Sequence, residues 1–126
     1  MNTNQETFFE TNDNSSLNNN SFGIRAKVSG VGGAGISLVD GLRFDNFDFV
    51  DNLIIDVDIK AVADSLASQK LTFGRRHTRG MGTGGDVNLG KRLAEEEKDK
   101  IRKELEGVDL VFLLAGLGGG VGGGAA

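Results

Sequence analysis

Ile24, Ala26 and Val28 alternate with polar residues, and the alternation runs into Gly30. A period of two predicts a strand that enters a glycine-rich turn. From Ala34 to about Leu42 the spacing changes, with Ile36, Val39 and Leu42 on one helical stripe. Gly41 weakens the end of that helix. Phe47 and Phe49 mark a turn into Leu53-Ile54-Ile55, a short apolar strand ending at Asp56. Ile59, Val62, Ala63 and Leu66 then predict a one-faced helix from Ile59 to Ser68. Leu71-Thr72-Phe73 reads as a short strand before Gly74, and residues 75–87 as a long loop. Asp86 suits the N-cap of the next helix, which carries Leu89, Leu93, Ile101 and Leu105 on one stripe as far as Glu106. Glu97 interrupts the stripe, Glu96/Lys100 and Asp99/Lys103 form i,i+4 pairs, and Gly107 fits a C-terminal cap. Val108 to Ala115 is almost continuously apolar, as in a strand buried on both faces of a parallel sheet. The order β-α-β-α-β-loop-α-β places the chain in the α/β class, with a mostly parallel sheet of about four strands and flanking helices.

No such periodicity appears in residues 1–22, where Asn and Ser dominate, so a disordered tail is expected. Phe8 and Phe9 are its exception, read as a chance apolar pair or a short docking segment. Residues 23–126 form the expected domain. The 126 residues include no cysteine and one histidine. Disulfide frameworks, thiolate metal sites and Ser-His-Asp or Cys-His chemistry are therefore disfavoured, and a cytoplasmic setting is the expectation. No apolar run approaches the roughly 18–20 residues of a membrane span, and a net charge of −4 argues against a nucleic-acid partner.

Glycine changes the picture most. There are 20, with no proline, and they cluster at residues 30–35, 80–85 and 116–124. Each cluster lies at a predicted strand end or before a predicted helix. Glycine there lets backbone N–H groups close on a phosphate, and a helix N-terminus favours the anion. Gly30-Val31-Gly32-Gly33-Ala34-Gly35 fits G-x-G-x-x-G in a strand–loop–helix context. Asp56, about 20 residues further on, would suit the ribose of a dinucleotide, so an NAD-type module is one reading. Asp56 and Asp58 as exposed turn carboxylates are the other. Arg75, Arg76 and Arg79 lie either near phosphate or in a solvated basic patch, and His77 is an exposed loop residue.

Five segments, in order, resemble the tubulin/FtsZ family. They are GVGGAG at Gly30–Gly35, the turn Asp56-Val57-Asp58, TRGMGTGGDV at Thr78–Val87, LGKRLAEE at Leu89–Glu96, and the strand Asp109–Gly116 leading to GGGVGGG at Gly118–Gly124. The resemblance covers residues 24–126 and implies an incomplete Rossmann-like nucleotide-binding domain with GTP as ligand, accompanied by Mg2+. It implies that Gly32, Gly33, Ala34 and Gly35 approach the α- and β-phosphates, with Ile36 and Asp58 completing that side. Gly82, Thr83, Gly84 and Gly85 would lie near the γ-phosphate, and Gly118, Gly119, Gly120, Val121 and Gly122 would cradle the phosphates. In this family GTP is hydrolysed after head-to-tail assembly, with an acidic loop of the next subunit placing the water. The implied partners are therefore guanine nucleotide and FtsZ-like subunits.

Departures from the family pattern are specific. Val121 and Gly123 stand where the signature has threonines, Ile36-Ser37 where it has Gly-Asn, Asp56 where it has Asn, and Val87 where it has Pro. The family's guanine-reading Asn and Asp, central helix and acidic loop follow the signature loop, and this sequence ends at Ala126. The expectation is thus a truncated domain, with no supporting helix after the third loop, an exposed edge on the last strand, and no assignable catalytic residue or metal ligand. An NAD-type module and a structural remnant without ligand are the alternatives.

Overall fold

The computed structural model describes residues 23–43 and 49–126; Phe8, Phe9, the rest of the N-terminal tail and Phe47 lie outside them. Four strands, β1 (Ala26–Val31), β2 (Val50–Asp56), β3 (Gln69–Thr72) and β4 (Leu110–Ala115), form one sheet in the order β3-β2-β1-β4. All three pairings are parallel, with Val31 opposite Ile55 on one side and Ala115 on the other. The helices are α1 (Gly32–Gly41), α2 (Ile59–Asp64), α3 (Arg75–Thr78), α4 (Val87–Glu96), α5 (Lys98–Glu104) and α6 (Gly120–Ala125).

Period-two alternation in β2 sends its side chains to two cores. Leu53, Ile55 and Val57 join Val31, Leu71, Phe73, Leu93 and Val121 on one face, with Ile101 and Leu105 packed against them. Ile54 joins Val28, Ile36, Val39, Val62 and Ala67 on the other. Helices α1 and α2 therefore cover one face, and α4, α5 and α6 the other.

Strand β1 differs from the half-buried strand its alternation predicts. All six residues are buried, including Lys27 and Ser29, and the strand runs through Gly30 to Val31 before α1 starts at Gly32. Lys27 is tolerated because its Nζ donates to the Glu104 carbonyl, 2.5 Å away. That bond ties the central strand to the end of α5.

Several helix boundaries are tertiary decisions. Helix α2 stops at Asp64, not Ser68, because Asp40 captures the next residues. Its Oδ1 accepts from the Ser65 hydroxyl at 2.6 Å and from the Leu66 N–H at 3.0 Å. Leu66 consequently leaves the apolar stripe and is exposed. The long helix expected up to Glu106 is two helices, broken at Glu97. Glu97 interrupts the apolar stripe because its Oε1 accepts the Gly74 N–H at 2.9 Å, while Oε2 meets Lys100 at 3.4 Å. Lys100 thus pairs with Glu97, and Glu96 instead pairs with His77 at 2.9 Å and Arg92 at 4.0 Å.

Strand β4 corrects the expectation of burial on both faces. It lies at the sheet edge, and Leu110, Val111, Phe112 and Leu113 are 37–52% exposed. The edge itself was expected. Its sequence carries no charge or proline to discourage further pairing. The missing helix after the third loop is a second correction: α6 forms directly from Gly120-Val121-Gly122-Gly123-Gly124-Ala125.

Candidate functional site

Parallel pairing brings the carboxyl ends of β1, β2 and β4 to one side of the sheet, where open α/β sheets form ligand crevices. The three glycine segments meet there around a cleft of about 310 Å3. The first contributes Gly32, Gly33 and Ala34 at the start of α1; the second contributes Met81 through Gly85; the third contributes Gly116 and Gly119 through Gly122. Asp56, Asp58 and Ala61 close the remaining side. Among the described residues, the charged side chains lining the cleft are the two aspartates.

The expected site residues fall into two groups. Gly32, Gly33, Ala34, Asp58, Gly82, Thr83, Gly84, Gly85, Gly119, Gly120, Val121 and Gly122 line the cleft. Gly35, Ile36 and Gly118 do not. Ile36 is a core residue under α1. Gly35 is buried beneath the first loop, where a Cβ would strike the Leu114 carbonyl oxygen and come within 2.9 Å of the Gly30 carbonyl carbon. Met81, Ala61 and Gly116 also line the cleft; Met81 and Gly116 lie within the family-like segments, and no pattern in the sequence marks Ala61.

Many of the glycines serve the protein's own packing. A Cβ on Gly120 would strike Thr83 Oγ1 and stand 2.7 Å from the Asp86 nitrogen. One on Gly124 would strike the Val87 carbonyl and stand 2.6 Å from the Lys91 nitrogen. These contacts seat α6 against α4 backbone to backbone. The second loop is glycine-rich for a different reason: Gly80, Gly82, Gly84 and Gly85 all have φ between 62° and 88°. Left-handed residues interspersed with others make the concave N–H arrays that suit anions. The Gly80 carbonyl accepts from the Ile59 N–H at 3.1 Å, which fastens this loop to α2.

Both aspartates depart from the exposed-turn reading. Asp58 is the N-cap of α2, with Oδ1 accepting from the Lys60 and Ala61 N–H groups at 2.9 and 3.1 Å. Asp56 is 4% exposed at the end of β2. Its Oδ1 accepts from the Val57 N–H at 2.6 Å and from the Asp58 N–H at 3.4 Å. Burial pushes the Asp56 carboxyl above its usual range, the two backbone bonds oppose this, and the neighbouring Asp58 charge adds to it. With a raised folded-state value, the folded chain holds the proton more tightly than the unfolded chain. Stability from this group is full at low pH and falls as pH rises through the raised value. Asp56→Asn keeps an acceptor for both N–H groups and removes the charge. Its melting temperature should exceed that of the wild type at pH 7.5 and converge on it near pH 4, measured by thermal denaturation followed by circular dichroism. An unchanged difference across pH would contradict this assignment.

Arg75, Arg76 and His77 do not join the cleft. They form α3 and line a separate depression with Glu96, Glu97 and Lys100. Arg79 is the C-cap of α3, at φ 54°.

A doubly covered parallel sheet with glycine loops gathered at its strand ends defines a Rossmann-like α/β protein. The chain belongs to the tubulin/FtsZ family: residues 25–126 match the family described as "Tubulin/FtsZ family, GTPase domain". It is 43% identical over 100 residues to the cell division protein FtsZ of Coxiella burnetii, an overlap of 79% of this chain and 26% of that protein. Among solved structures, an empty FtsZ dimer from M. jannaschii superposes with a TM-score of 0.80 at 30% identity, over 90% of this chain and 34% of that one. CetZ2 of Haloferax volcanii, solved as a GTPγS-bound protofilament, gives 0.73 at 28% identity, over 81% and 33%. The chain thus spans about a quarter to a third of the length of these relatives. No helix among the described residues is long and apolar enough to cross a membrane.

Proposed function

We propose that the chain binds a guanine nucleotide by its phosphates in the glycine-lined cleft, as part of an FtsZ-like cytoplasmic protein that assembles head-to-tail in cell division. The observation that carries this reading is the convergence of three glycine segments on one cleft at the strand ends, in a chain of the tubulin/FtsZ family. The chemistry follows from what lines the cleft. With no lysine or arginine among the described residues that line it, backbone N–H groups of the second loop and the first turn of α1 supply the positive end of each contact. Thr83 adds a hydroxyl. The donor set offers no protein cage for Mg2+, because among the described residues no group of three acidic or histidine side chains gathers. A Mg2+ ion would be held chiefly by the phosphates.

An NAD-type module is disfavoured by the family match. Calorimetric titration of the 126-residue chain should show binding of GTP, and NAD should not compete. Preferential NAD binding would refute the reading. Hydrolysis in this family draws on an acidic loop of the next subunit, so this polypeptide alone should bind without turnover. Its light scattering with GTP should stay flat; nucleotide-dependent filaments would overturn that part.

Val121 stands at a signature threonine and lines the cleft while packing on the core. Val121→Thr restores one neutral donor toward phosphate, worth about 1 kcal/mol. The GTP dissociation constant should fall about fivefold by calorimetry. No change would mean that position 121 makes no phosphate contact.

A further inference from the structure

We propose that Asp56 sets the charge state in which the cleft accepts its anion: a seated phosphate requires a proton on Asp56, and binding takes that proton up from solvent. This rests on the phosphate-binding reading above.

Three observations carry it. Asp56 lines the cleft and is 4% exposed, so it has little water to screen a second anion placed beside it. Its two hydrogen bonds both end on Oδ1, and Oδ2 has no protein partner among the described residues. Among the described residues, no cationic side chain lines the cleft to neutralise it. The groups around Asp56 come from several elements. At the end of β2 and start of α2 stands Asp58, a second negative charge. From the cleft side, β1 and α1 present Val31 and Gly32, the second loop presents uncharged residues, and α6 presents Gly120 to Gly122. From β3, Thr72 pairs with Asp56 and Phe73 donates its N–H to the Asp56 carbonyl at 3.3 Å. The surroundings thus raise the proton affinity of Asp56 above that of an ordinary carboxylate, and a phosphate raises it further.

In the bound state the proton sits on Oδ2 and that O–H donates to a phosphate oxygen. The proton comes from solvent as the anion enters and returns when it leaves; no bond in the ligand changes. A carboxylate that would repel the ligand becomes a donor to it. Asn, which the family pattern places here, would donate without titrating.

The test is calorimetric titration of GTP into the wild-type chain and Asp56→Asn between pH 5 and pH 8, each pH in two buffers of different ionisation enthalpy. The ligand's own ionisation cancels in the ratio of the two affinities. That ratio should move in favour of Asp56→Asn as pH rises from 5 to 8, by at most about tenfold per pH unit. At pH 8, where the terminal phosphate is already ionised, the wild type should take up close to one proton per GTP. This second readout needs no variant, so a poorly folded Asp56→Asn does not block it. GTP binding with a pH-independent ratio, or with no proton uptake at pH 8, would overturn the inference alone. Absence of GTP binding by both chains at every pH would overturn the cleft reading, and the inference with it.

Discussion

Gly120→Ala should lower the melting temperature by about 15 °C, whereas Gly33→Ala should leave it unchanged or raise it slightly. Both glycines line the cleft, and the sequence gives no reason to separate them. Their surroundings differ. A methyl on Gly120 would meet Thr83 Oγ1 and the backbone nitrogen and oxygen of Asp86 at 2.7 and 2.8 Å. Backbone cannot rotate away as a side-chain tip can, so α6 must move off α4. The neighbouring Gly90 faces the Gly120 carbonyl equally closely, leaving no slack on that side. Overpacking of this kind costs about 3 kcal/mol, near the upper end of the usual range. At about 4–8 °C per kcal/mol for a domain of this size, that gives the expected shift. Gly33, by contrast, has nothing within 4 Å of its added methyl and sits in the first turn of α1. Alanine there favours the helix by up to about 1 kcal/mol. Equal losses in the two variants, followed by circular dichroism on heating, would show that α6 is not seated on α4 as described.

Phe73→Ala should bring the chain close to global unfolding. Phe73 is fully buried and belongs to the core with Leu53, Ile55, Leu93 and Val121. Removing a buried phenyl ring costs about 3–5 kcal/mol, against a total stability of about 5–15 kcal/mol for a natural domain. The position also bears on the cleft, because its backbone N–H bonds the Asp56 carbonyl and its core partner Val121 lines the cleft. Phe73→Leu keeps most of the volume and should cost about half as much. Urea denaturation should give midpoints in the order wild type, Phe73→Leu, Phe73→Ala. A Phe73→Ala midpoint within error of the wild type would mean that the ring is not buried.

Much of this architecture is legible along the chain. Leu53 to Ile55, the stripe Leu89-Leu93 and the cap at Asp86 lie where periodicity and capping chemistry place them, and the Asp86 carboxylate does accept the Leu89 N–H at 3.0 Å. The two misplaced helix ends share one cause. Asp40 and Glu97 reach across the fold to backbone N–H groups 26 and 23 residues away, and no local pattern encodes such a partner. The apolar run of β4 forms a strand, but at the sheet edge and exposed instead of buried on both faces. Hydrophobicity states what a strand needs, whereas its place in the sheet order decides what it receives.

The glycine clusters show the division most clearly. By itself, the sequence determined the parallel α/β class, the three glycine segments at strand ends or before helices, and the family they belong to, because these depend on local spacing and backbone freedom. The tertiary structure alone decided which glycines face the cleft and which admit another backbone, and that Asp56 is buried rather than exposed. Close approach and desolvation arise between segments far apart in the chain, so they exist only once the sheet has brought those segments together.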